Sequence, residues 1–166
     1  MAEAMKFEEL RVLQAAEVVA DGIWREVVQW DSFAREVVGG QLARAADSIG
    51  ANIAEAFGRF HYGEKLQFLY YARGSLFETK YWLNRALTRG LMSPAKVHDY
   101  ASQLTDQARQ LNAFATRLKA QRHGSHSQSI SIREPAVEYI ADWPDDVLLP
   151  LLTEEELAWL ATIPNT

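Results

Sequence analysis

Three polar side chains, Ser48, Asn52 and Glu55, recur at helical spacing beside an apolar stripe in residues 41–59. Residues three and four apart share one face of a helix, so these side chains form a polar stripe. A carboxylate there can serve as a general acid or base, or as half of a two-metal site. Alternatively, a carboxylate in a helix bundle pairs with a cation, and Arg73 is the candidate partner. The sequence favours the second interpretation, a structural polar clamp made of Ser48, Asn52, Glu55 and Arg73.

The four histidines form no constellation that supports a metal site or hydrolysis. Two-metal bundles use Glu-x-x-His pairs on two helices, and the sequence contains no such pair. It contains no cysteine, which excludes disulfides and thiolate zinc sites. Arg117 and His123 have a spacing similar to that of HEPN ribonucleases, but Leu118 stands where those enzymes usually have a polar residue. A HEPN-like ribonuclease is therefore a minor alternative, and we expect no enzyme activity, no cofactor and no metal.

Four long amphipathic segments position these residues. The apolar periodicity predicts helices at about residues 8–29, 41–58, 64–89 and 94–122. Asp31 and Ser93 are suited to cap the helices that follow them, and the paired glycines Gly39 and Gly40 favour a loop or frayed turn over residues 33–40. The predicted fold is all-α, an antiparallel up-and-down four-helix bundle of residues 1–122.

Beyond the bundle, residues 123–134 are predicted to be a flexible linker or extended segment, and residues 135–166 an acidic extension with short helices. Residues 1–122 carry 16 basic and 14 acidic side chains, whereas residues 123–166 carry one basic and eight acidic ones. The last helix has three apolar residues on one side, which predict docking on a partner: Leu157, Leu160 and Ile163. The acidic extension either lies across a basic surface and competes with nucleic acid, or recognises one specific protein.

The third predicted helix has aromatic residues on two faces, which indicates a contact beyond its own bundle. We assign Phe68, Tyr71 and Trp82 to a contact between protomers, because aromatic residues are enriched in interfaces. The alternative is that these rings stack on bases while nearby arginines hold phosphates. The N-terminus lacks the pattern of a signal peptide, and no stretch approaches the ~18 apolar residues of a membrane span, so we expect a cytoplasmic protein.

Two motifs resemble a known family. Ser48-Ile49 with Asn52–Arg59, and then Phe68–Glu78, resemble the bacterial four-helix bundle family. That family includes proteins encoded in intervening sequences of large-subunit ribosomal RNA genes and the accessory variability determinant of diversity-generating retroelements. The resemblance covers roughly residues 7–120, and it departs at Ala56, where the family usually has glycine.

The resemblance implies a ring-like homopentamer and, for the retroelement accessory protein, binding to a reverse transcriptase and its RNA through a basic surface. We therefore expect a non-enzymatic oligomeric scaffold that binds a reverse transcriptase or another nucleic-acid enzyme. The residues first expected to contact RNA or DNA are Arg44, Arg59, Arg85, Arg89, Arg117, Lys119 and Arg122. The alternative is a purely protein-binding module whose C-terminal tail docks a specific partner.

Overall fold

Helices account for the regular structure of the described residues. The computed structural model describes the backbone of residues 10–126 and 150–164, and the side chains of residues 10–121 and 150–164. Its elements, in chain order, are α1 (Arg11–Val27), α2 (Ser32–Ala34), a π-helical segment (Arg35–Gly39), α3 (Gly40–Gly58), α4 (Tyr62–Thr88), α5 (Pro94–His126) and α6 (Glu154–Ala161). The described residues contain no strand, and the all-α prediction is confirmed.

The four long helices close into a bundle. α1 packs against α3 and α5, and α4 packs against the same two helices from the other side. Short connections make consecutive long helices antiparallel. The centre consists of fully buried aliphatic side chains: Ile23, Leu42, Ile49, Ile53, Leu69, Leu76, Leu83, Leu104 and Leu111. Each such side chain contributes ~1.5–3 kcal/mol when it leaves water, so this periodic apolar set is what brings the helices together.

The loop predicted over residues 33–40 is wrong, because helical structure runs through it. The Asp31 side chain caps the start by accepting from the backbone N–H groups of Phe33 and Ala34, both at 3.0 Å. The turn then widens, and the N–H of Gly40 donates to the carbonyl of Arg35, five residues earlier. A Cβ on Gly39 would lie 2.5 Å from Cγ1 of Val27. The glycine therefore permits close packing on the end of α1 instead of breaking the helix.

The connection between α4 and α5 lies where the sequence predicts it, between residues 89 and 94. Gly90 has a φ of +68°, its N–H donates to Leu87, and the N–H of Leu91 donates to Ala86. This pair of bonds is the Schellman motif, which satisfies the last carbonyls of a helix.

α5 then continues to His126, four residues past its predicted end, so the linker does not begin at residue 123. Residues 127–149, which include the rest of the predicted linker, lie outside the described residues.

Residues 150–164, called the C-terminal segment below, return to the bundle and pack on α5. Thr153 and Glu156 form the capping box expected at the start of α6. Leu157 and Leu160 are buried, and Ile163 is half-buried against the same core. These three residues, which the sequence predicts to dock on a partner, thus pack on the bundle of their own chain. No helix in the described ranges is long and apolar enough to cross a membrane.

Candidate interaction surfaces

A small polar cluster joins α3 to α4. Nδ2 of Asn52 donates to the carbonyl of Ser48 at 2.8 Å and lies 3.1 Å from the Ser48 hydroxyl. The Ser75 hydroxyl lies 3.0 Å from the Ser48 hydroxyl and 3.5 Å from Asn52 Nδ2. Two members of the predicted clamp, Ser48 and Asn52, thus meet across the helix pair through Ser75, a residue that the sequence prediction missed. The hydroxyl and amide groups satisfy one another, as half-buried polar groups between helices must.

The ion pair predicted for this clamp is wrong. Glu55 pairs with Arg59, one turn along α3, and both side chains are well exposed. Arg73 pairs with Glu156 of the C-terminal segment. The physical reason is helical geometry: Arg73 precedes Ser75 by two residues, which places it about 200° around α4 from the face that meets α3.

The outer face of α4 exposes aromatic rings around a glycine. Tyr71 is 49% exposed and Tyr81 is 53% exposed. Gly74 lies between them in the middle of the helix, and a Cβ there would have no neighbour within 4 Å. Of the other rings predicted to contact a second protomer, Phe68 is half-buried beneath the Arg59 guanidinium, which lies 4.7 Å from its centroid. Trp82 is half-buried against the core, so of the three residues Tyr71 is the one most open to a partner.

The basic residues predicted to contact nucleic acid divide between the two ends of the bundle. The antiparallel topology puts Arg44, Arg85 and Arg89 at the end where α4 stops, and Arg59, Arg117 and Lys119 at the opposite end. Arg44, Arg89 and Arg117 are exposed, whereas Arg85 lies within 3.4 Å of the Thr88 hydroxyl and burial lowers the pKa of Lys119. The side chain of Arg122 lies outside the described residues. The structure therefore gives two separate basic groups instead of one continuous patch.

A groove between α4 and α5, called the α4–α5 groove below, holds the C-terminal segment. Arg73 pairs with Glu156, and the Phe77 ring stacks on Trp159 with centroids 5.3 Å apart and planes at 12°. On the α5 side, Asn112 binds the backbone of Leu152 twice: Nδ2 donates to its carbonyl at 2.8 Å and Oδ1 accepts from its N–H at 2.7 Å.

Lys80 lies fully buried in this groove. Its ammonium group donates to the backbone carbonyl of Thr162, and burial lowers its pKa from 10.5 to about 8. Two further polar atoms on the same helix are buried without a hydrogen-bond partner, Nε of Arg73 and Oδ1 of Asn84. Arg73 also pairs with Glu156, so the C-terminal segment leaves one polar atom of the groove, Nε of Arg73, unsatisfied.

Metal binding finds no support in the part of the chain that the structure describes. Within residues 10–121 and 150–164, no three side chains of the types that ligate metals come together. His123 belongs to the helical backbone of α5, and its side chain lies outside the described residues.

The fold and surfaces define an all-α four-helix bundle with an appended C-terminal segment. A model of the 23S rRNA-intervening sequence protein family matches residues 8–113, more than half of the chain, and the chain belongs to that family. The matched residues include α1, α3, α4 and most of α5, and they end before the C-terminal segment. A comparison with curated proteins finds no match. Since the family description names no activity, the surfaces must carry the functional argument.

Proposed function

We propose that this protein is a non-enzymatic, homo-oligomeric scaffold that holds a partner protein. The observation that carries the proposal is the outer face of α4, where Tyr71, Gly74, Glu78, Tyr81 and Arg85 follow one another at helical spacing. Aromatic and arginine side chains are enriched in protein interfaces. Exposed aromatic residues around a glycine, which has no side chain to keep a second helix away, fit a contact between helices of two protomers.

Gly74 is the most informative residue on this face. Glycine inside a helix costs ~1 kcal/mol relative to alanine. Close packing within the chain does not explain the glycine, because a Cβ there would meet no atom within 4 Å. Close approach of a second helix does explain it. The same logic accounts for Gly39, whose close neighbour, Val27, belongs to its own chain.

The absence of enzyme activity in this proposal rests on the state of the polar cluster. Ser48, Asn52 and Ser75 bind one another, so the cluster presents no hydroxyl activated by a neighbouring base. Glu55 is an exposed partner of Arg59, and it therefore lacks the burial by which a protein tunes a carboxyl group for general acid catalysis.

The finer parts of the proposal follow the resemblance stated from the sequence. They are a ring-like homopentamer and a partner that is a reverse transcriptase or another nucleic-acid enzyme. Residues 35–122 carry 13 basic and seven acidic side chains, which supports contact with RNA or DNA at the two basic ends of the bundle. The alternative is a purely protein-binding module whose C-terminal tail docks a partner. It is less well supported, because two of its predicted docking residues, Leu157 and Leu160, are buried in their own chain.

The test is the substitution Gly74→Ala. Within one protomer it should raise the free energy of unfolding by ~0.5–1 kcal/mol, because alanine is the better helix former and the site is open. In the assembly it should weaken association, because the added methyl group stands where a second helix approaches. Urea unfolding under dissociating conditions and sedimentation velocity measure the two effects separately.

The matched control is Gly58→Ala, at the end of α3, where a Cβ also meets nothing within 4 Å. That variant should gain stability without losing association. A wild-type protein that sediments as a monomer, or a Gly74→Ala variant with an unchanged dissociation constant, would contradict the proposal.

A further inference from the structure

The C-terminal segment lies along α4 in a regular register. Contacts recur at Glu156, Trp159 and Thr162 on the segment, and they meet Arg73, Phe77 and Lys80 in the same order on α4. The paired positions advance by three residues on the segment and by three or four on the helix. Seven residues of α-helix span about 10 Å, so the groove contacts a ligand of two helical turns.

Two side chains in the groove, Asn112 and Lys80, bind backbone groups of the segment. Asn112 binds both backbone groups of Leu152, and Lys80 binds the carbonyl of Thr162. Any residue can supply such groups, so these contacts accept a peptide chain without choosing its sequence. Three other features of the groove select the sequence of the peptide. Arg73 binds a carboxylate, the Phe77 ring stacks on an aromatic side chain, and the apolar floor takes up aliphatic side chains. The apolar floor receives the buried leucines Leu151, Leu152, Leu157 and Leu160.

The segment is an incomplete match to the groove that it fills. Lys80 is buried with a neutral carbonyl as its hydrogen-bond acceptor, whereas buried charges in proteins are usually paired with an opposite charge. Nε of Arg73 is also buried and unpaired. A helix with a second acidic group beside Lys80 would satisfy the groove better than the chain's own segment does.

The chain between α5 and the segment is long enough for the segment to leave the groove while a partner binds there. Twenty-three residues, 127–149, join α5 to the segment, and a chain of that length spans up to about 75 Å. The distance from Asn112 to His126 along α5 is only about 21 Å. Because the segment and the groove belong to one chain, a free partner competes with the segment by mass action.

We propose that the α4–α5 groove is a docking site for an acidic amphipathic helix of a partner protein, and that the C-terminal segment is its built-in competitor. The inference deepens the proposed function, on which it rests, by naming the surface and the chemistry of the partner. The segment lies outside the residues that the family model matches, so the competitor is a feature added beside the matched bundle.

The experiment uses the full chain and a fluorescein-labelled synthetic peptide of residues 150–164 as the probe. In the released variant, Leu157→Asp with Leu160→Asp, the tethered segment no longer fills the groove while the groove itself is unchanged. Fluorescence anisotropy should show the probe binding the released variant at least tenfold more tightly than the wild-type chain, because the wild-type groove is already occupied. Equal binding to both proteins would overturn the proposal.

A charge exchange assigns the binding to the groove. Arg73→Glu in the released variant should weaken the native probe tenfold or more, and a probe carrying Glu156→Arg should recover most of that loss. A reversed probe that binds this variant no better than the native probe does would overturn the proposal. Circular dichroism checks that the released variant folds. The milder full-length variant Trp159→Ala, which removes the stack on Phe77, must shift probe affinity in the same direction.

Two further measurements separate other occupants. A 15-nucleotide single-stranded RNA that binds the released variant and is displaced by the probe would assign the groove to nucleic acid and overturn the proposal. A released variant that sediments as a smaller assembly than the wild type would show that the segment bridges two copies of this chain, and would also overturn it. A monomeric wild type with the expected tenfold difference in probe binding would refute the homo-oligomer and leave the docking site standing.

Discussion

Replacing Lys80 by methionine should stabilise this protein at neutral pH. Methionine has a similar volume and no charge, so it fills the site under the C-terminal segment without the cost of burying an ammonium group. The Lys80 side chain is fully buried, and its hydrogen bond goes to the Thr162 carbonyl. The substitution removes that bond along with the charge, so the outcome depends on which of the two effects is larger.

The pKa of Lys80 gives the size of the first effect. It falls from 10.5 to about 8 because burial disfavours the charged form. At ~1.4 kcal/mol per pKa unit, this difference corresponds to roughly 3 kcal/mol at neutral pH. The lost hydrogen bond from a charged donor is worth about 1.5–3 kcal/mol in the opposite direction. Lys80→Met should therefore raise the free energy of unfolding by up to ~1.5 kcal/mol at pH 7.

The pH dependence provides a second check with a defined sign. The folded state disfavours protonated Lys80, so the cost is fully present below pH 8 and disappears as pH rises from 8 towards 10.5. The advantage of the variant, measured by urea unfolding, should accordingly shrink between pH 8 and pH 10. Lys96→Met is the control, because Lys96 is exposed and binds Glu26 at 2.7 Å; it should change stability by less than ~1 kcal/mol. A Lys80→Met variant less stable than the wild type at pH 7, or an advantage that is constant to pH 10, would refute this reasoning.

Two other substitutions test the contacts that the structure reassigns. Glu55→Ala should cost at most ~0.5 kcal/mol in urea unfolding, because Glu55 forms an exposed pair with Arg59 one turn away; a cost near 3 kcal/mol would show a buried partner. Asn112→Ala should remove both hydrogen bonds to the backbone of Leu152 and speed amide hydrogen exchange at Leu157 and Leu160 by tenfold or more. Unchanged exchange at those leucines would mean that Asn112 does not hold the segment in place.

The sequence is sufficient to predict the helices, because apolar residues at three- and four-residue spacing share one face only when the segment is helical. It is insufficient around Gly39, where the tendency of glycine to weaken a helix predicts a loop. Glycine does so when nothing else acts on it, but here the gain from packing on Val27 and the cap at Asp31 outweigh that tendency. A local preference of ~1 kcal/mol is easily reversed by a tertiary contact that the sequence does not display.

The surfaces were harder to predict for a related reason. The sequence pattern puts Arg73 on the apolar face of α4 and indicates a partner on the neighbouring helix. The actual partner, Glu156, is 83 residues away, and no periodicity connects the two. The sequence did contain one overlooked signal: Lys80 falls between Leu76 and Leu83 at core spacing, and a lysine in that register indicates that something polar covers it.

The π-helical segment at Arg35–Gly39 has a consequence for the evolution of this chain. Ala34, Val38, Leu42 and Ala46 are each four residues apart, and on a regular α-helix that spacing drifts by about 40° at every step. The wider turn absorbs the drift and keeps these residues on one side, in effect accommodating one extra residue. Deletion of a single residue there would leave a regular helix with both halves still in phase. The same deletion within α3 would rotate the apolar side of half of the helix towards solvent. One-residue length differences among related chains should therefore occur at the π-helical segment.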